Sequence, residues 1–169
     1  MPNNPQPQYD PVWSPDGNSV AFGGLPGQTT IQVLDVKTRG VSRLPGSDGL
    51  YSPRWSPDGR YIAAMPSDSR SLTLFDFKTQ TWSVLARANA GYPCWSRDGQ
   101  YVYFLQMPPD PGVLRVGIRD RKVEQVASLK GFQTTGYFGD WLGIAPDDSP
   151  LLLKDTGTQE IVSLDWQAP

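Results

Sequence analysis

The sequence predicts an all-β fold: four antiparallel, mostly four-stranded units set side by side as the blades of a β-propeller, with the last blade incomplete. Three observations carry this. A short stretch returns four times along the 169 residues: an aromatic, a tight turn, then an apolar run. Its turn aspartates, Asp16, Asp58, Asp98 and Asp147, lie 42, 40 and 49 residues apart, close to the period of four-stranded blades. Glycine and proline number 17 each, and proline interrupts nearly every stretch long enough for an amphipathic helix.

The repeat reads Trp13-Ser14-Pro15-Asp16-Gly17 before Val20-Ala21-Phe22, then Trp55-Ser56-Pro57-Asp58-Gly59 before Tyr61 to Met65. The third copy is Trp95-Ser96-Arg97-Asp98-Gly99 before Tyr101 to Leu105; the fourth is worn, Ala145-Pro146-Asp147-Asp148-Ser149 before Leu151 to Leu153. Each residue type suits one position of a type I turn closed by a bulge. Proline pre-sets φ, serine and aspartate bond nearby amides, and glycine accepts positive φ. The motif is therefore a hairpin, and its aspartates need no catalytic or metal role. Trp13, Trp55 and Trp95 are expected in equivalent, mostly buried positions that pack blade on blade.

The remaining strands follow in order. An opening strand begins at a tyrosine, Tyr9, Tyr51, Tyr92 and Tyr137. Third strands are Ile31 to Val36, Leu72 to Phe77, Leu114 to Ile118 and Ile161 to Trp166, alternating as half-buried strands do. Fourth strands are Val41 to Leu44, Trp82 to Leu85 and Val123 to Ala127. The blades then span 9–50, 51–91, 92–136 and 137–169, one propeller unit over 1–169. The last unit has no fourth strand. Pro2, Pro5 and Pro7 make residues 1–8 a poor substitute. The unit reads as cut from a longer propeller, or as completed by another copy.

Net charge is −2 and the pI about 5.0, which argues against nucleic acid as a partner. No apolar run approaches the roughly 18 residues of a membrane span, and MPNNPQPQ has no basic-then-apolar leader pattern. The chain reads as soluble. Cys94 has no partner for an internal disulfide and reads as a small buried apolar residue. The sequence has no histidine, which removes Ser-His-Asp triads, Cys-His dyads and imidazole metal sites. Neither Asp147-Asp148 nor Ser67-Asp68-Ser69 has calcium-loop spacing. No cofactor is expected. One catalytic possibility stands: Asp10 and Asp140, on opening strands, facing each other across a channel as glycoside hydrolysis requires. Their alternative role is to solvate the channel rim.

Binding is the other possibility. The loops of one rim carry Arg54, Asp68, Arg70, Arg87, Gln106, Met107, Asp110, Tyr137 and Trp141, a mixture suited to a peptide or protein. An ordinary solvated rim has the same composition.

The WSPDG turn, the V-A-F and I-A-A runs after it, and third strands such as IQVLDVKT and LTLFDFKT resemble the TolB-type, WD-repeat-like β-propellers, from about Tyr9 to Trp166. The chain also resembles the C-terminal propeller of bacterial regulators. The match weakens in the fourth unit, where Trp141 is displaced and Asp148 replaces the turn glycine. The resemblance implies a propeller that binds protein partners, or filters substrates beside a separate catalytic domain. It carries no ligand residue over by position, and it implies a bacterial parent, periplasmic or extracytoplasmic. The expected role is a non-catalytic binding, sensing or scaffold protein. The alternatives are an architectural or engineered fragment with no ligand, and a hydrolase using the carboxylate pair. Four blades close alone only at about 90° per step, eight at about 45°. An isolated arc exposes its first flank, on the Trp13 side with Val20 and Ile31, so a two-fold homodimer completing an eight-bladed ring is expected.

Overall fold

The computed structural model describes residues 8–24, 29–134 and 140–157, and every regular element in them is a strand. The first blade contains β1 (Tyr9–Trp13), β2 (Ser19–Gly23), β3 (Gln32–Asp35) and β4 (Val41–Arg43). The second contains β5 (Leu50–Trp55), β6 (Tyr61–Pro66), β7 (Ser71–Asp76) and β8 (Thr81–Arg87). The third contains β9 (Ala90–Trp95), β10 (Tyr101–Gln106), β11 (Gly112–Gly117) and β12 (Val123–Ser128). In the fourth, β13 (Leu142–Ile144) pairs with β14 (Pro150–Leu152); the expected strand 161–166 and Tyr137 lie outside the described residues. Pairing is antiparallel and stays inside each blade, because each strand turns back on its predecessor through a short hairpin.

The hairpin chemistry repeats. Ser14 Oγ donates to Asp16 at 2.5 Å and accepts from the Ser19 amide at 2.9 Å. Ser56 does the same with Asp58 and the Tyr61 amide, and Ser96 with Asp98 and the Tyr101 amide. Each aspartate also accepts from the amide two residues on, Asn18, Arg60 or Gln100. These donors favour the carboxylate form. The Ser14 hydroxyl, with the Asn18 amide, holds Asp16 down at about 2. The Gln100 amide, then Ser96, lowers Asp98. Gly17, Gly59 and Gly99 close the turns at φ +72°, +75° and +68°.

The inner strands are bulged. Register slips between Tyr9 and Val12 and between Tyr51 and Arg54, and the residues at the bulge, Asp10, Ser52 and Tyr92, share φ near +50°. This corrects the alignment on tyrosine. Tyr92 stands where Asp10 and Ser52 stand, and Gly91 takes the place of Tyr9 and Tyr51. The bulge lies three residues before the turn tryptophan in all three strands. The tyrosine lies four residues before it in the first two and three in the third, so aligning on tyrosine puts the third strand one position out of register.

The core lies between blades. Ala21, Ile31 and Leu44 of the first pack on Ile62, Ala64 and Phe75 of the second. Ala63, Met65 and Leu74 of the second meet Val102, Phe104 and Val116 of the third. Tyr103, Leu105 and Val113 of the third meet Leu142, Ile144 and Leu152 of the fourth. Two expectations are corrected here. Val20 and Ile31 are buried, so neither marks an open flank. Trp55 and Trp95 are half-buried against a preceding blade, but Trp13 has none and is 60% exposed.

Neighbouring turns also touch. A Cβ on Gly59 would lie 3.8 Å from Pro15, and one on Gly99 3.6 Å from Pro57. In the next pair both residues change together. Arg97 stands at the proline position and Asp148, at φ +64°, at the glycine position. The amide that proline lacks donates from Arg97 to Asp148 Oδ1 at 2.8 Å. The fourth turn is thus a compensated variant. Asp148→Gly is expected to destabilise the protein in the native background and not in the Arg97→Pro background, a coupling of about 1 kcal/mol. Urea unfolding of the four proteins measures it, and strictly additive effects would contradict the compensation.

Candidate binding groove on the loop rim

The rim opposite the Trp-Ser-Pro-Asp-Gly turns is knit by backbone bonds between blades. The Gly49 amide donates to Thr29, Ser67 to Gly49, Ala90 to Ser69 and Met107 to Asn89, at 2.7 to 3.0 Å. This ladder fixes the loops that would otherwise move independently.

Two hollows open on this rim and share Met107. The first, about 430 Å³, is lined by the inner strands, with Asp10, Tyr51, Ser52, Arg54 and Tyr92 on its wall. Arg54 is on β5 rather than on a loop. It donates to the Pro53 carbonyl at 2.8 Å and stands 3.7 Å from Asp10. The Tyr51 hydroxyl is 2.6 Å from Ser69 Oγ. Burial, then the charges of Asp140 and Asp10, pushes the Tyr92 phenol up. The second hollow, about 300 Å³, is apolar, with Leu105, Pro111, Phe132, Trp141 and Leu153 around Gln106 and Asp140.

The structure places Arg54 and Met107 in the first hollow and Gln106, Met107 and Trp141 in the second. It leaves Asp68, Arg70, Arg87 and Asp110 out of both hollows. Asp68 instead accepts from the Arg70 amide, and the Asp110 carbonyl from Gln106 Nε2. Tyr137 lies outside the described residues. Asp10 and Asp140 occupy different hollows, with Tyr92 feeling both charges and Arg54 beside Asp10. Sequence reasoning missed Tyr92, Met65, Asn89 and Phe132. The signal for Tyr92 is its distance from the turn tryptophan, three residues where Tyr9 and Tyr51 stand four.

Two other groups are structural. The Cys94 thiol donates to the Leu142 carbonyl at 3.2 Å, and burial pushes it up. Arg115 is braced by Tyr103 and Glu124, at 3.5 and 2.9 Å, and lies over the Tyr101 ring. Among the described residues no three His, Cys, Asp or Glu side chains group as a metal site requires.

No protein-family model and no curated protein matches the sequence. Solved structures match the fold. TolB from Acinetobacter baumannii gives a TM-score of 0.66 at 21% identity, over 82% of this chain and 35% of its own. A putative TolB from Agrobacterium tumefaciens gives 0.69 at 21% identity, over 90% of this chain and 59% of its own. An oligogalacturonate lyase from Vibrio parahaemolyticus gives 0.59 at 16% identity, over 71% and 39%. The chain spans only 35% and 59% of the two TolB structures. Because the propeller of a lyase stands beside those of TolB, the likeness carries the fold and leaves the chemistry to the residues. The fold is that of the TolB-type β-propellers.

Proposed function

We propose that the chain is a non-catalytic binding scaffold, and that it works as half of an eight-bladed ring whose other half is a second copy. The observation that carries the binding role is Met107, which lines both hollows on this rim. A methionine and an arginine line the first hollow, and the same methionine and a tryptophan the second, residue types enriched where proteins are recognised. The groove is apolar toward Trp141 and charged toward Arg54, which suits an extended peptide with an apolar side chain next to a polar one. The half-ring reading is supported by the exposed Trp13 at the turn end of the first blade and the exposed Leu151 of the fourth.

The test is selection of a displayed random peptide library on the immobilised protein. Met107→Ala and Trp141→Ala are each expected to weaken the selected peptides about tenfold or more, roughly 1.4 kcal/mol, while Arg87→Ala, outside the groove, leaves them unchanged. Peptides indifferent to both groove substitutions would contradict the site. Glycoside hydrolysis that disappears in Asp10→Asn and Asp140→Asn would replace binding with catalysis.

A further inference from the structure

We infer that the ring closes head-to-tail, the forward face of the fourth blade of one copy packing on the backward face of the first blade of a second copy. This rests on the half-ring reading and names the surfaces that meet.

Strand register identifies the forward face. Ala21, Ala63, Tyr103 and Leu151 occupy one position, opposite Val12, Arg54, Cys94 and Gly143. The first three are buried, at most 4% exposed, in the clusters that face the following blade. Leu151 is 46% exposed. Two residues on, Met65 and Leu105 are buried and Leu153 is 47% exposed. The fourth blade thus presents bare leucines where its predecessors are covered.

The backward face is bare at the turn end, near the height of Leu151. Trp13 is 60% exposed where Trp55 and Trp95 are half-buried, and Val36 is 40% exposed where Phe77 and Ile118 are half-buried. Val41 does not contribute. Its exposure of 42% equals the 41% of Val123 at the same position of the third blade, so the outer edge is open in both. Val20 and Phe22, deeper on this face, are already buried. The open patch is confined to the turn end.

The turns single out a second copy as the occupant. Inside the chain a turn proline meets the next blade's glycine, Pro15 on Gly59 and Pro57 on Gly99. Gly17 has no described atom within 4 Å of its Cβ position, and Pro146, which is exposed, holds the proline position of the last turn. The two unmatched halves of the repeating contact therefore lie at opposite ends of one chain. Two copies related by a two-fold axis match both halves twice and leave no open end. The apolar pairing of Leu151 with Trp13 then continues the interface already made between blades.

Sedimentation equilibrium on the full chain tests the contact, with Leu151→Asp, Trp13→Lys, the double variant, and Arg70→Ala as a control. Each single charge is expected to raise the dissociation constant at least tenfold. The double variant should recover part of the loss, because the two charges attract across the new contact, and Arg70→Ala should behave as the native protein. Leu151→Glu with Trp13→Arg repeats the test with a second pair should either first variant lose its far-UV strand signal. A native dimer unaffected by both pairs overturns the head-to-tail contact and leaves the half-ring reading standing. A native chain that stays single at every concentration overturns both. Species growing without limit with concentration overturn ring closure.

Discussion

Replacing Phe75 with alanine is expected to lower stability by about 3–5 kcal/mol. Phe75 lies on β7 with its ring fully buried. It meets Phe77 edge-on at 5.0 Å and Trp82 at 5.2 Å, while Phe77 stacks on Trp55 at 5.4 Å. It also belongs to the cluster shared with Ala21 and Ile31 of the first blade. The cavity would open between two four-stranded sheets whose backbones are fixed by their own ladders, so little collapse can offset it. Urea unfolding measures the loss, and tryptophan emission reports the loosened surroundings of Trp55 and Trp82. Leu151→Ala, on an exposed leucine, is expected to change the stability of the single chain by no more than about 0.5 kcal/mol. A Phe75→Ala cost as small as that would mean that blade-to-blade packing does not hold the arc together.

Ser96→Ala is expected to cost about 1–3 kcal/mol. The serine is buried, and its hydroxyl joins Asp98 at 2.7 Å to the Tyr101 amide at 2.9 Å. Alanine would leave that amide without this acceptor at the start of β10. A pH signature goes with it. Asp98 is depressed in the folded state, so its contribution is fully present above the unfolded carboxylate value of about 3.9 and is lost as pH falls through the folded value. Removing Ser96 takes away the second of its two main donors. The carboxylate should therefore titrate closer to the unfolded value, and the stability lost on acidification should shrink. Carboxylate NMR titration reads the first change and acid unfolding the second. An unchanged titration of Asp98 would show that the Gln100 amide alone sets it.

Legibility of the fold followed the range of each interaction. The hairpins were readable because Ser14, Asp16 and Gly17 act within six residues, and the period was readable because each blade pairs only with itself. In the first three blades strand limits fell within two residues for the same reason. The place of Tyr92 was readable only by counting back from Trp95, three residues instead of four, because alignment on residue type matches it to Tyr9 and Tyr51. Trp13 shares its local sequence with Trp55 and Trp95, and its exposure follows from a missing neighbour. Arg97 and Asp148 looked like wear in separate repeats. Only the contact between turns, 51 residues apart in sequence, shows that one change answers the other.

The groove was legible in part. Met107 and Trp141 stood out as large side chains in or beside polar loops. Arg54 was placed on a loop, and the structure puts it on an inner strand. Asp68, Arg70, Arg87 and Asp110 share the polarity of the groove residues, and nothing local distinguishes a side chain that lines a hollow from one that caps its own loop. That Met107 lines both hollows depends on how blades are set around an axis, and no single repeat encodes that.

The central claim is that this chain is half a ring. Light scattering across a hundredfold range of concentration tests it most directly. The account predicts one species of twice the 18.7 kDa chain mass, resistant to dilution. A species of 18.7 kDa that persists at the highest concentration would contradict it.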